Sequence, residues 1–224
     1  MKYKVIILDL DNTLIDFDKM EIASIKHCLK AHNLPFDDDK VKTYIKINKT
    51  LWEGLELGKY QKPEILTLRF EKWLNEFDLT GNPVSMNEMF LGGMADHLTM
   101  IESADKLLEY LKDKYLVVMM TNGVTASQNS KLDKGQLRHY FDHIIISDEV
   151  GSHKPDIAIF EHMESLIGPF DKSEMIIVGD SLTSDMTGGI NYNIDTCWFN
   201  PKGLTSHLDI THDIRHLSEL FELL

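Results

Sequence analysis

Four short stretches carry residues suited to phosphoryl chemistry, each at or after the end of an apolar run. The first is Asp9-Leu10-Asp11-Asn12-Thr13. Two carboxylates two positions apart at a strand end both face the crevice beyond it if the chain begins to turn there. One can attack a phosphorus atom while the other handles protons. A capping aspartate followed by a turn aspartate is the plainer account of the same pair. The second stretch, Met119-Met120-Thr121-Asn122-Gly123, offers a hydroxyl and backbone N–H groups, with a glycine that allows close approach. Together these make a neutral cradle for phosphate oxygens, although many strand-to-loop joins end in such residues.

The third stretch is Gly151-Ser152-His153-Lys154-Pro155-Asp156. A residue before proline is kept extended and out of the helix that follows. The Lys154 ammonium can therefore be aimed at the crevice, where it would offset phosphate and carboxylate charge; a solvated loop lysine is the ordinary alternative. The fourth is Gly179-Asp180-Ser181-Leu182-Thr183-Ser184-Asp185. Carboxylates at such a place suit a hard, oxygen-seeking cation, and Mg²⁺ fits where phosphate shares the coordination shell. Asp185 also reads as a helix N-terminal residue, and the two roles are compatible.

The elements that must position these residues follow from hydrophobic pattern. Five apolar runs, at 4–9, 116–121, 144–147, 175–179 and 196–200, lack alternation and read as strands buried on both faces of a parallel sheet. Helical segments at 103–112, 128–135, 156–167 and 185–192 separate the later ones, which gives an α/β doubly wound fold. The stretch 16–94 is different. It has helical periodicity throughout and no convincing strand. A helix over 19–32 stops before Pro35, a second follows Asp37-Asp38-Asp39 and reaches towards Gly58, a third opens at Pro63, and a fourth starts near Pro83. Residues 1–15 and 95–224 thus form the core, and 16–94 a lid-like helical insertion.

Composition narrows the partners. A net charge of −13 argues against nucleic-acid polymers, whose backbones such a surface repels. It leaves room for a small phosphate ester, because one site can be made locally positive by a metal ion and a lysine. No apolar run approaches the roughly 20 residues of a membrane helix. The first residues resemble a signal peptide only briefly, since Asp9 and Asp11 interrupt the run and no small-residue cleavage site follows, so a cytoplasmic protein is expected. Cys28 and Cys197 lack metal-type spacing and read as reduced packing thiols. His207, His212 and His216 read as surface and helix residues rather than a metal cluster.

Taken in this order at successive strand ends, the four stretches resemble the motifs of the haloacid dehalogenase superfamily: Asp9 to Thr13, Thr121, Lys154, and Gly179 to Asp185. The resemblance implies a Rossmann-like parallel sheet of strand order 5-4-1-2-3 with an inserted all-helical C1-type cap. It implies that Asp9 attacks phosphorus and forms an aspartyl-phosphate. Asp11 then protonates the departing oxygen and later deprotonates the hydrolytic water. Thr121, Asn122 and Lys154 are the implied phosphate-binding residues. Mg²⁺ is implied at the Asp9 carboxylate, the Asp11 backbone carbonyl and Asp180, with Asp185 acting through water or by orienting its neighbours. The cap is expected to exclude water when it closes and to read the leaving group.

Beyond the motifs, the chain is similar to a bacterial branch of pyrimidine 5′-nucleotidases. The resembling segments include Ile47 to Trp52, Gly58-Lys59, Arg69-Phe70, Thr121 to Gly123, Ser147 to Gly151, and Asp185 with Gly188 to Asn191. The implied partner is a small phosphorylated metabolite, a nucleoside monophosphate, with a monomer or homodimer acting on it. Trp52 and Phe70 can stack a base and Arg69 can meet a polar edge; packing inside the cap is the alternative for the aromatics, and a surface position for Arg69. Phosphatases for sugar phosphates or phosphoglycolate share the pattern. A hydrolytic dehalogenase replaces the second aspartate, so Asp11 argues against it. A phosphosugar mutase keeps both aspartates and would yield a phosphorylated isomer instead of phosphate. A non-catalytic binding protein would usually lack a motif residue.

Overall fold

A computed structural model describes residues 2–224 and divides them into two compact units. One comprises the chain up to Asp16 together with Thr99–Leu224; the other is Phe17–Leu98. The second seam lies four residues beyond the expected end of the insertion, because a helical turn, Met94–His97, buries Met94 and Ala95 in the helical unit.

The chain opens with β1 (Val5–Leu8) and enters the insertion through α1 (Phe17–Ala31), α2 (Asp38–Glu56), α3 (Lys62–Glu76) and α4 (Pro83–Gly93). It returns to the core through α5 (Ala104–Leu111), β2 (Leu116–Thr121), α6 (Thr125–Lys134), β3 (His143–Ile146) and α7 (Ser147–Val150). Then come α8 (Ile157–Ile167), β4 (Met175–Gly179), α9 (Thr187–Tyr192), β5 (Asp195–Phe199), β6 (His212–Ile214) and α10 (Leu220–Leu223). Among the described residues, no helix is long and apolar enough to cross a membrane.

In the core unit the strands form one parallel sheet in the order β3-β2-β1-β4-β5-β6. This is the expected 5-4-1-2-3 arrangement read from its other edge and extended by β6. That added strand has three residues, two of them polar, and so carries no apolar run to announce it. Ser147, expected within the third strand, instead opens α7. At the centre, Ile7 lies level with Val118 on one side and Ile177 on the other. These three pack in one cluster with Ile145, Ile159, Phe160 and Met163. Each such burial contributes about 1.5–3 kcal/mol, so the four residues of β1 are held by their neighbours rather than by strand propensity.

Register places the site. Leu8 is paired with Met119 and with Val178, so the chain leaves β1, β2 and β4 at nearly one level. Immediately after β1 it turns. The N–H groups of Leu14 and Ile15 both donate to the Leu10 carbonyl at 3.0 Å, and Asn12 adopts the left-handed region at φ 60°. This turn is the condition under which two aspartates two positions apart can serve one crevice.

The helical unit begins its elements with local caps. The Asp37 carboxylate accepts from the Lys40 N–H at 2.9 Å, and Asn82 Oδ1 accepts from Val84 and Ser85 at 3.0 and 3.2 Å. Pro63 sits in the first turn of α3, where a missing N–H costs nothing. Its core is aromatic: the rings of Tyr44, Phe70 and Phe90 lie 5.2 to 6.0 Å apart. A polar chain runs through this interior, from Glu21 to Asn48 at 2.6 Å, then from Asn48 to Arg69 at 3.0 Å and from Arg69 to Asn87 at 2.6 Å.

Candidate active site

Asp9 follows β1 directly, its N–H still donating to the Val178 carbonyl at 3.0 Å. That hydrogen bond fixes its backbone, while its carboxylate lies at the carboxyl edge of the sheet and is almost fully buried. Lys154 meets it there. The ammonium donates to Asp9 Oδ1 at 2.7 Å, to Asp185 Oδ1 at 2.7 Å and to the Met120 carbonyl at 2.6 Å. An ammonium has three protons to give, so all three are engaged and its aim is fixed. Burial opposes the charge on Lys154, but Asp185 and Asp9 outweigh it and hold the ammonium above its usual range. Burial pushes the Asp9 carboxyl up to about 7, with Lys154 opposing the rise and Asp185 and Asp11 adding to it.

Asp185 lies on a π-helical turn, Leu182–Met186, that joins β4 to α9. Besides Lys154, it accepts from the Ser181 N–H through Oδ2 at 3.1 Å. Gly179 makes room for this carboxylate: a Cβ there would stand 2.2 Å from Asp185 Oδ2. One oxygen from each of Asp9, Asp180 and Asp185 lies within 4.8 Å of the other two, the one grouping of potential metal ligands among the described residues. Asp185 thus belongs to the same acidic cluster as Asp9 and Asp180, and through Oδ1 it orients the Lys154 ammonium that also meets Asp9. His212 lies elsewhere, its ring 3.1 Å from the Tyr3 hydroxyl.

The second half of the site gathers around Asp11. Lys131 of α6, only 1% exposed, reaches both Asp11 oxygens at 2.6 and 2.8 Å. Gln128, one helical turn earlier, donates from Nε2 to Asp11 Oδ2 at 2.7 Å and to Thr121 Oγ1 at 3.1 Å. Neither residue stands out in the sequence, where both read as the polar face of a helix. The usable signal is their three-residue spacing so soon after β2, which keeps the first turns of α6 beside the strand end.

The Asn122 side chain is engaged within the protein, so the phosphate contact expected of this residue would fall to its backbone N–H. Its side-chain amide pairs with the backbone of Lys154, Nδ2 donating to the carbonyl at 2.8 Å and Oδ1 accepting the N–H at 2.9 Å. The side chain therefore positions Lys154 instead of facing a ligand. In the helical unit, Phe70 is fully buried between Tyr44 and Phe90, and Arg69 stacks over Phe90 at 4.6 Å with its guanidinium bound by Asn48 and Asn87. Both belong to the interior of that unit, which leaves Phe70 no face for a base and makes Arg69 a core residue, not a surface one. Trp52 packs beside Leu51, Leu55 and Ile65 and keeps part of its surface exposed.

The donor set suits a hard divalent cation. Four carboxylates, Asp9, Asp11, Asp180 and Asp185, share the site with two ammonium groups, Lys131 and Lys154, leaving a formal double negative charge. A buried excess of that kind resists ionisation, as Asp9 does, unless a cation offsets it.

A parallel sheet with paired carboxylates, an acidic cluster and a buried lysine at its carboxyl edge defines a Rossmann-like hydrolase core, and comparison with known proteins agrees. The haloacid dehalogenase-like hydrolase family model matches residues 6–199, and the chain belongs to that family. It is 32% identical over 227 residues to the pyrimidine 5′-nucleotidase PynA of Streptococcus pneumoniae, covering all of this chain and 96% of PynA. It is also 32% identical to the pyrimidine 5′-nucleotidase YjjG of Escherichia coli, covering all of this chain and 99% of YjjG. The HAD-hydrolase YfnB of Bacillus subtilis, crystallised with magnesium bound, superposes with a TM-score of 0.95 at 29% identity, covering 100% of this chain and 99% of that one.

Proposed function

We propose that the chain is a Mg²⁺-dependent phosphomonoester hydrolase acting through an aspartyl-phosphate on Asp9, and that its substrates are pyrimidine nucleoside monophosphates. The observation that carries the chemical part is the Asp9 carboxylate held at 2.7 Å by an ammonium whose other protons are fixed by Asp185 and Met120. A nucleophile so anchored presents its second oxygen in a constant direction. The substrate class is supported by the full-length similarity to two pyrimidine 5′-nucleotidases.

In this reading an Asp9 oxygen attacks phosphorus and the ester P–O bond breaks. The departing oxygen takes a proton from Asp11, leaving Asp11 a carboxylate. Water then gives a proton to Asp11 as its oxygen bonds to phosphorus, and the P–O bond to Asp9 breaks to restore the Asp9 carboxylate. Thr121 donates to a phosphoryl oxygen, and Lys154 does so by exchanging one of its present acceptors. Asp9, the Asp11 backbone carbonyl and Asp180 would hold Mg²⁺, with Asp185 beside them. Bound there, the ion supplies positive charge that offsets the repulsion between a carboxylate nucleophile and a dianionic ester.

A phosphate-release screen across nucleoside monophosphates, sugar phosphates and phosphoglycolate, with and without Mg²⁺, tests both parts. Mg²⁺-dependent release that favours UMP and CMP is expected. Equal or better turnover of sugar phosphates would retire the nucleotidase reading and keep the phosphatase one; the 30% identity to a glyceraldehyde 3-phosphate phosphatase of Pyrococcus furiosus makes that comparison the sharp one.

A further inference from the structure

Lys131 is a buried ammonium in the interior of a helix-to-sheet contact, where a methionine of similar length would pack without the several kcal/mol that desolvating a charge costs. Its contacts say why it is there. It reaches both oxygens of Asp11, at 2.6 and 2.8 Å, and Gln128 adds a third donor to the same carboxylate at 2.7 Å. All three contacts place an N–H against an Asp11 oxygen, so the side chain is arranged to accept hydrogen bonds.

Gln128 also sets the neighbouring hydroxyl. Thr121 Oγ1 accepts from Gln128 Nε2 at 3.1 Å and from the Gly123 N–H at 3.1 Å. A hydroxyl oxygen has two acceptor sites and one proton. With both acceptor sites taken, the proton is directed elsewhere, as a donor. Phosphoryl oxygens only accept, so the polarity of Thr121 matches them.

We infer that Gln128 and Lys131 are positioning residues for the hydrolytic half of the reaction. Resting on the phosphatase reading, they hold Asp11 as the base that takes a proton from water while the P–O bond to Asp9 breaks, and they turn the Thr121 hydroxyl towards the phosphoryl group. The proton-bearing Asp11 that an alkyl leaving group requires accepts from these donors more weakly than the carboxylate does. Their effect therefore falls mainly on release of phosphate from Asp9, after the alcohol has left.

p-Nitrophenyl phosphate isolates that step, because its leaving group departs without a proton. In the full chain with Mg²⁺, Lys131→Met is expected to lower kcat about tenfold or more, a modest share of what general-base catalysis contributes. kcat/KM, which ends with departure of p-nitrophenolate, is expected to change less than about threefold. A burst of p-nitrophenolate approaching one per active site should accompany the slow turnover. Lys131→Arg, which keeps donors and charge, should recover part of kcat. If Lys131→Met does not fold, Lys131→Leu, which removes the same donors to Asp11 and leaves the Gln128–Thr121 contact in place, carries the same comparison. Parallel loss of kcat and kcat/KM without a burst would overturn the inference. A wild-type chain that releases no phosphate from any ester would instead overturn the reading beneath it.

Discussion

The amide of Asn122 closes a two-way hydrogen-bonded link with the backbone of Lys154, across 32 residues of sequence. The loop after β2 and the loop before α8 are thereby locked to each other. The lysine that holds Asp9 is not left to its own rotamers, because the backbone from which it springs is fixed by a neighbouring strand end. Buried polar links of this kind give the site its aim as well as its charge.

Asn122→Ala removes both bonds and leaves the Lys154 N–H and carbonyl without their partner. Two such bonds contribute about 1–3 kcal/mol together, which for a chain of this size corresponds to a melting temperature lower by about 3–10 °C. Turnover should fall by more than stability accounts for, since a displacement of about 1 Å at a catalytic group can cost roughly a hundredfold. Asn122→Asp, which keeps the acceptor for the Lys154 N–H, should lie between. Calorimetry with phosphate-release kinetics reads both effects; an unaltered kcat in the alanine variant would show that the link does not aim Lys154.

How much of this could be read from residues alone depended on whether an element carries its own pattern. β1, β2 and β4 are apolar at almost every position because both sheet faces are covered, and each ends in a polar break. β6, with one apolar residue at the sheet edge, has no such pattern. The acidic and basic residues at strand ends were visible because polar groups after an apolar run are conspicuous. Gln128 and Lys131 were hidden by the opposite circumstance: on a helix rich in polar residues, an inward-facing lysine looks like an outward-facing one. Arg69 is hidden for a related reason, since a guanidinium that is bound on several sides inside a helical unit leaves no trace in local composition.

Gly179 offers a test that alters no functional group. A methyl added there would stand 2.2 Å from Asp185 Oδ2 and 2.6 Å from its Cβ, so the carboxylate must move. Overpacking of this sort costs about 1–3 kcal/mol. Because Asp185 shares the Lys154 ammonium with Asp9, the displacement reaches the nucleophile as well. Gly179→Ala should weaken Mg²⁺ binding in isothermal titration and reduce turnover at least about tenfold. An alanine variant with native affinity would mean that the carboxylate can relocate freely.

Both thiols are buried, and burial pushes Cys28 and Cys197 up to about 12. A raised thiol value means that the neutral form persists at mildly alkaline pH, and the thiolate is the reactive species. At pH 8 the native protein should therefore react with neither equivalent of a disulfide reagent over minutes, and with both once unfolded in guanidinium. Rapid reaction of either thiol in the native state would contradict its placement.

Lys154→Met separates the structural charge of the site from its chemistry. Without that ammonium, Asp9 and Asp185 remain buried and lose the cation that each contacts at 2.7 Å. Removing one partner of a buried ion pair typically costs 3–5 kcal/mol, because the remaining charge has no compensation. In the presence of a chelator the variant should be less stable by about that amount in urea titrations. Saturating Mg²⁺ should restore part of the loss, since any ligand that binds only the folded state stabilises it and the variant's acidic cluster has a greater charge to offset. It should not restore turnover, because a cation drawn to the carboxylates does not reproduce an ammonium fixed by the Met120 carbonyl and aimed by the Asn122 link. Equal stability of variant and wild type in chelator would mean that the acidic cluster sheds its charge by protonation, with Lys154 contributing little to the fold.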